Sequence, residues 1–453
     1  MPHQGKRPGL SRRRLLQGAG ALGAAALLPR AAGSAPLPAR TDVAIVGAGM
    51  AGLAAARLLR ERGIAVELLE ARRRIGGRAH TDDSLGLPFD AGAAWVQGAD
   101  RSPLPPLLKA AGFESFKDVS PPRIFLDGAH VRSRDLERAV AELEAQLAEA
   151  ASQRGESALS AVLPEPKTAL DRLARFVIGP LELGAALGDV SLQDWWAQAD
   201  SAPELRVPQG LGAFVAAFGR DQAVRLGAEV DGITWDPAGI EVKLAGGGRL
   251  AAEAVLITVP TGVLAAGLES AEGLWFDPVL PPWKDWAIRN LPLGSVEKVA
   301  LRLRPGLLRD WGYGENAWVL RQDAARQASL QVATFGRDLV LVTFAGERAR
   351  LPAAERRSAA LGELAALHPF REDRDLLGVA ASAWGESPWT RGAYSHARPG
   401  GASARIMLRR PLVGRVYFAG EACSRSWAAQ VPGAYLTGES AARQIAYQLA
   451  DAG

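Results

Sequence analysis

Gly47, Gly49 and Gly52 stand at GxGxxG spacing, with Met50 and Ala51 inside the motif. Glycines so placed let a turn close and let backbone approach a pyrophosphate, which then rests on the positive end of the following helix. The motif follows the buried-strand run VAIV and opens the Ala/Leu/Arg-rich helix AGLAAARLLRER. A second strand, IAVELLE, ends at Glu70, 21 residues after Gly49. An acid there can accept hydrogen bonds from both ribose hydroxyls and repels a 2′-phosphate. The segment therefore reads as a βαβ unit that binds a dinucleotide. Directly after it, in ARRRIGGRAHT, come Ala71, Arg72, Gly76, Gly77 and Arg78. Arg78 can offer a bidentate charge to the pyrophosphate, and the two glycines admit close backbone approach. Farther on, Lys298 interrupts the apolar alternation of SVEKVALRL; burying a lysine is costly, so it either snorkels to solvent or has a purpose.

Other chemistries find little support. The five histidines show no metal-ligand spacing such as HExxH, and one cysteine, Cys423, makes neither an intramolecular disulfide nor a cysteine-rich zinc site. No metal centre is expected, and an enzyme of this composition borrows an organic cofactor.

The elements that must position these groups are legible in places. A chain of 453 residues, 48% hydrophobic and 23% charged, has room for two or three domains with sizeable cores. AVLITVP is a buried-strand run, and Val224 to Leu250 alternates apolar and polar residues around turns at Asp236, Pro237 and Gly246 to Gly248. RDLERAVAELEAQLAEAA has helical spacing with charges on its outer face, a scaffold without chemistry of its own. VYFAG is a strand ending in Gly420 and Glu421, followed by the helix GAYLTGESAARQIAYQL.

The formal net charge of +4 comes from the N-terminus: residues 1 to 35 hold six basic groups and no acid, and without them 47 bases face 49 acids. Nucleic-acid binding loses its support. The same segment has SRRRLLQ, a weakly apolar run from Gly18 to Leu28 and the small residues AAGSA. That run is too short to span a bilayer core of about 30 Å. It resembles a twin-arginine signal, which exports folded protein with its cofactor inserted. The expectation is a periplasmic or secreted protein with no stable membrane anchor, cleaved near residues 31 to 35, its partner the Tat export machinery.

The ARRRIGGRAHT segment resembles the second phosphate-contacting stretch of the flavin-dependent amine oxidases, a family that includes monoamine and polyamine oxidases and histone demethylases. The resemblance continues in the family's order through FDAGAAWVQG, VPQGLGAF, AVLITVPTGVL, FDPVLPPWKDWAI, LGSVEKVALRL, SAWGESPWTRGAYS and VYFAGEACSRSWAAQVPGAYLTGESAARQI. It implies an α/β (α+β overall) fold in which a Rossmann-like FAD-binding domain (40–100, 204–283 and 400–453) interleaves with a mixed-sheet and helix substrate domain (101–203 and 284–399). Val230 and Val431 join the cofactor-binding set, with Val431 and the amides opening the last helix toward the flavin pyrimidine oxygen. Gly420 and Glu421 approach the ribityl and phosphate portion.

By the same resemblance, Lys298 holds a water near flavin N5, and Tyr394 is one wall of an aromatic cage that steers the amine nitrogen. The second wall departs from the monoamine oxidase pattern: Gln430 stands where those enzymes carry tyrosine, so the cage is incomplete or Trp427, Trp384 or Trp389 completes it. Ala393 replaces the cysteine that carries covalent flavin in monoamine oxidases, which implies non-covalent FAD. Gln97 replaces a histidine common in polyamine oxidases, which weakens transfer of their substrate.

The reading is an amine oxidase or dehydrogenase: a C–N bond is oxidised to an imine as hydride passes to flavin N5, water hydrolyses the imine, and oxygen or a redox carrier takes the electrons. An L-amino-acid oxidase is the nearest rival and needs a carboxylate-binding arginine, for which Arg289, Arg321 and Arg391 are available. A carotenoid- or porphyrinogen-type desaturase and a flavin-containing scaffold are more distant, since neither needs Lys298 and Tyr394.

Overall fold

A computed structural model of the chain describes residues 36–117, 121–153, 155–198, 202–236, 239–270, 272–323 and 326–451; the signal segment expected over 1–35 lies outside them. The expected mixed α/β fold is present. Two large sheets, of eight and seven strands, dominate it.

The first sheet grows from the apolar runs already noted. The strand Arg40–Val46 lies between Val66–Glu70 and the long strand Arg249–Ile257, parallel to both, and Val416–Phe418 pairs parallel to the far half of Arg249–Ile257. The near half of that long strand pairs antiparallel with Gly239–Leu244, which turns back into Val230–Asp236. Four parallel strands thus end in Val46, Glu70, Ile257 and Phe418 at one edge, the edge at which open α/β sheets bind ligands.

Helix Met50–Glu61 buries Ala51, Ala55 and Leu59 in the same core as Ala441, Ala442 and Ile445 of the last helix, Val431–Asp451. Small residues make that crossing close. A Cβ on Gly438 would stand 2.2 Å from the Ala51 carbonyl oxygen, so the two backbones touch there.

The second sheet runs in the order Leu376–Ala381, Val296–Leu303, Leu339–Ala345, Gln327–Val332, Ala317–Gln322, Arg123–Leu126, Ala129–Val131. Period-two alternation gives it two faces. Val299, Val342, Leu330 and Val319 pack into one apolar cluster, whereas Lys298, Thr343 and Ser329, cross-strand neighbours in a single row, line a cavity on the other side. The lysine that breaks the apolar pattern is therefore the end of a polar row.

Candidate functional site

A cavity of about 1300 Å³ extends from the parallel sheet's edge to this polar row. At the sheet end Gly47 takes φ +103°, and a Cβ there would meet Thr258 Oγ1 at 2.7 Å. The turn is pinned by Gly47 N–H to the Leu69 carbonyl (2.7 Å) and Thr258 N–H to the Val46 carbonyl (2.9 Å). Gly49 and Gly77 face each other, a Cβ on Gly77 standing 3.2 Å from the Gly49 Cα. The helix that starts at Met50 has no side-chain cap and no acid in its first turn, so its free amides and dipole favour an anion.

Glu70, buried and with its carboxyl pushed up by that burial, accepts from Ala48 N–H (2.8 Å) and Arg72 N–H (2.9 Å), one bond to each oxygen. A carboxylate oxygen has two acceptor sites, so each retains one for a ribose hydroxyl. Arg78 donates to Glu421 (2.8 Å) and to the Ala393 carbonyl (2.8 Å). Gly420, at φ +137°, has open space where a side chain would project. Open amides, facing glycines, an acid with spare lone pairs and a flanking arginine form a donor set that suits a dinucleotide.

At the other end Lys298 is 7% exposed. Its Nζ donates to the carbonyls of Asp90 (2.9 Å) and Gly92 (2.7 Å) and lies 5.7 Å from the Trp95 ring centroid. Burial pulls its pKa down to about 8, with Asp90 opposing the shift and Arg206 adding to it. The Asp90 carboxylate accepts from the first amides of helix Leu211–Phe218, Leu211 N–H (3.0 Å) and Gly212 N–H (3.1 Å), and from Thr81 (2.6 Å). The lysine's backbone acceptors are thereby fixed by the same loop that caps that helix.

Tyr394 lines the cavity with its hydroxyl donating to the Leu181 carbonyl (3.1 Å). The neighbouring residue, Glu182, lines the same cavity, and its accessible surface opens into that enclosed space. Its carboxyl is pushed up to about 8, first by desolvation and then by Glu144 and Glu204, which line the wall with it. Three acids on one wall favour a cationic guest.

The cavity brings together most of the residues singled out from sequence. Gly47, Gly49, Met50, Ala51, Glu70, Ala71, Arg72, Gly77, Arg78, Val230, Gly420, Glu421 and Val431 line it, as do Lys298, Tyr394, Trp384, Trp389, Gln97 and Gln430. Gln430 Oε1 is buried without a hydrogen-bond partner. Two of the residues lie outside the lining. Gly52 sits behind it, where a Cβ would stand 2.0 Å from the Gly47 carbonyl oxygen, and Trp427 instead lies beneath the Arg101 guanidinium, 5.9 Å from its ring centroid. The tryptophans that do reach the cavity include Trp95, Trp195, Trp196 and Trp318, none assigned from sequence; the WW doublet in SLQDWW was the available signal. Among the described residues the arginines lining it are Arg72 and Arg78. Arg289 pairs with Asp285 and Glu269, Arg321 with Glu363 and Arg391 with Glu272, so none of the three offered for a substrate carboxylate lines this site.

No group of three or more His, Cys, Asp or Glu among the described residues could hold a metal ion, and none of the described helices is long and apolar enough to cross a membrane.

Residues 50–446 match the sequence profile of flavin containing amine oxidoreductases. The chain is 30% identical over 446 residues to polyamine oxidase 4 of Oryza sativa subsp. japonica, 88% of each chain being covered. It superposes on wild-type putrescine oxidase bound to putrescine with a TM-score of 0.73 at 25% identity, over 91% of this chain and 100% of that one. Cyclohexylamine oxidase from Brevibacterium oxydans shares the fold, with a TM-score of 0.74 at 24% identity over 90% and 99% of the two chains.

Proposed function

The chain belongs to the family of flavin containing amine oxidoreductases, and on that premise we propose that it uses non-covalently held FAD to oxidise the C–N bond of a di- or polyamine. The observation that carries this reading is the single cavity, which has a dinucleotide cradle at one end and Lys298, Tyr394 and an acidic wall at the other.

Glu70 would take the ribose diol, and the first-turn amides from Met50 with Arg78 would take the pyrophosphate. Gly420, Glu421 and the amides opening the Val431–Asp451 helix would hold the ribityl and pyrimidine portions. FAD, when bound, supplies the two-electron acceptor for the substrate's α-carbon. Ala393 lines the cavity without a nucleophile, and Cys423 is buried outside it with its thiol pushed up to about 12 by desolvation. Neither supports a cysteine-linked flavin.

Tyr394, tethered through its hydroxyl, presents an electron-rich ring that orients the amine nitrogen. Lys298 uses two of its three donors on backbone carbonyls, which leaves one for a water in the cavity. The product imine hydrolyses to a carbonyl compound and a smaller amine or ammonia. Electrons pass to oxygen, giving hydrogen peroxide, or to another acceptor. Export through the Tat route on the signal at residues 1–35, and the division into an interleaved FAD domain and substrate domain, complete the proposal.

The acidic wall argues for a second cation on the substrate, and the names of the related polyamine and putrescine oxidases agree. A charge-assisted hydrogen bond contributes about 1.5–3 kcal/mol. At or above pH 8, where the carboxylate is formed, Glu182→Gln should therefore lower kcat/KM for putrescine by about tenfold or more and leave butylamine almost unchanged. Since desolvation and the neighbouring Glu144 and Glu204 push the Glu182 carboxyl up to about 8, it gains charge as pH rises toward that value. The preference of the wild-type enzyme for putrescine over butylamine should grow between pH 6 and 8 and be flat in the variant. Equal losses on both amines, or on neither, would overturn the assignment of the second cation to this wall.

A further inference from the structure

Arg405 and Asp194 are fully buried, and neither lines the cavity. The Arg405 fork donates through Nε to Asp194 Oδ1 (2.6 Å) and through Nη2 to Oδ2 (2.9 Å). Its Nη1 donates to Ser395 Oγ (2.8 Å), and Ser395 Oγ donates to Glu421 Oε2 (2.6 Å). Glu421 also accepts from Arg78 at Oε1 (2.8 Å) and from Ala429 N–H at Oε2 (3.0 Å). Burial alone would raise the Glu421 carboxyl, but Arg78 and Arg405 outweigh it and hold it below its usual range.

This buried line joins segments far apart in sequence, and Arg405, itself remote from the cavity, is linked through it to residues that face the cavity or adjoin one that does. Asp194 precedes Trp195 and Trp196 on the short helix Leu192–Trp196 and receives Ala397 N–H (3.2 Å). Ser395 follows Tyr394, and Ala429 precedes Gln430. Replacing a buried ion pair with apolar residues is often neutral or stabilising, so stability alone does not require this one. Bidentate geometry does fix orientation, which lysine could not reproduce.

We propose that Arg405 is a positioning residue for amine oxidation: through Asp194, Ser395 and Glu421 it keeps the amine-facing wall, with Trp195, Trp196 and Tyr394, in register with the cofactor-facing wall. The inference rests on the amine oxidase reading of the cavity. A shift of about 1 Å in the placement of reacting groups can cost on the order of a hundredfold in rate.

Two variants of the FAD-loaded protein test it. Ser395→Ala leaves the ion pair intact and removes the hydroxyl that joins it to Glu421, so that only the longer Ser395 backbone contacts with Arg405 (3.2 Å) and Glu421 (3.3 Å) remain; the double variant Asp194→Leu with Arg405→Met removes the pair without leaving a lone charge. Both should melt close to wild type and retain FAD. Both should show the rate constant for anaerobic flavin reduction at saturating putrescine lowered at least about tenfold, together with an altered visible circular dichroism band of the bound flavin. Wild-type reduction rates and spectra in the variants would overturn the proposal. Should the double variant fail to fold, Ser395→Ala decides alone. A wild-type protein that no amine reduces would instead sink the amine oxidase reading and leave the spectroscopic comparison as the test of positioning.

Discussion

A Gly52→Ala chain is expected to fold without holding flavin. A methyl group at this position would lie 2.0 Å from the Gly47 carbonyl oxygen and 3.2 Å from Thr258 Oγ1. The obstructing atom is backbone, and it cannot swing aside, because Gly47 and Thr258 are tied to the neighbouring strands by bonds of 2.7 and 2.9 Å. The start of the Met50–Glu61 helix must move instead, which carries the phosphate-facing amides away from the turn. Overpacking of this kind costs about 1–3 kcal/mol in the fold, while the displaced amides lose most of their contribution to the cofactor. Purified variant should lack the flavin absorbance near 450 nm and should not recover it with excess FAD. Gly63→Ala provides the control: that glycine has φ +77° but open space around it, so the substitution strains one turn and should leave flavin content unchanged. Wild-type flavin content in Gly52→Ala would mean that the glycine turn does not hold the cofactor.

The second large effect is expected at Lys298. Lys298→Met fills the same volume but leaves the Asp90 and Gly92 carbonyls without their donor and the cavity without the remaining one. Positioned proton donors contribute on the order of 10²–10⁴-fold. Reoxidation of reduced flavin by oxygen should slow by about a hundredfold or more, whereas reduction by amine should change far less. The pH dependence follows from the value of about 8 to which burial lowers this lysine. The ammonium form is present below that pH and is lost above it, so reoxidation by wild type should fall as pH rises through about 8 and that limb should vanish in the variant. Stability runs in the opposite sense. The unfolded lysine titrates near 10.4, so between about 8 and 10.4 the unfolded chain holds the extra proton and this group's contribution to stability rises with pH. Stopped-flow reoxidation at several pH values separates the two effects. Fast, pH-independent reoxidation in Lys298→Met would remove the lysine from the oxygen half-reaction.

What could be read from sequence was local. The glycine turn, its helix and Glu70 lie within 24 consecutive residues, and strand, turn and helix each carry their own signal. Lys298 could be noticed because one charge in an apolar strand is conspicuous, but whether it snorkels or is buried depends on a carbonyl pair more than 200 residues away. Leu181 reaches Tyr394 from 213 residues upstream and brings Glu182 into the same cavity, and nothing in their own segment marks them. The same holds for Asp90, whose carboxylate caps a helix that begins 121 residues later. Trp427 illustrates the opposite failure. Adjacency to Gln430 along the chain suggested a shared pocket, yet the turn before the last helix sends the tryptophan toward Arg101, while Trp195 and Trp196 are delivered by a helix that Arg405 anchors. Assignments that depend on tertiary contacts between distant segments are not encoded in any short window.

The most direct test of the central claim is anaerobic bleaching of the bound flavin when purified protein is mixed with a panel of mono-, di- and polyamines and L-amino acids. Bleaching is expected with amines, faster with putrescine and longer polyamines than with butylamine, with no bleaching by amino acids and recovery of colour when air is admitted. Bleaching by amino acids alone, or by nothing in the panel when the flavin site is full, would contradict that claim.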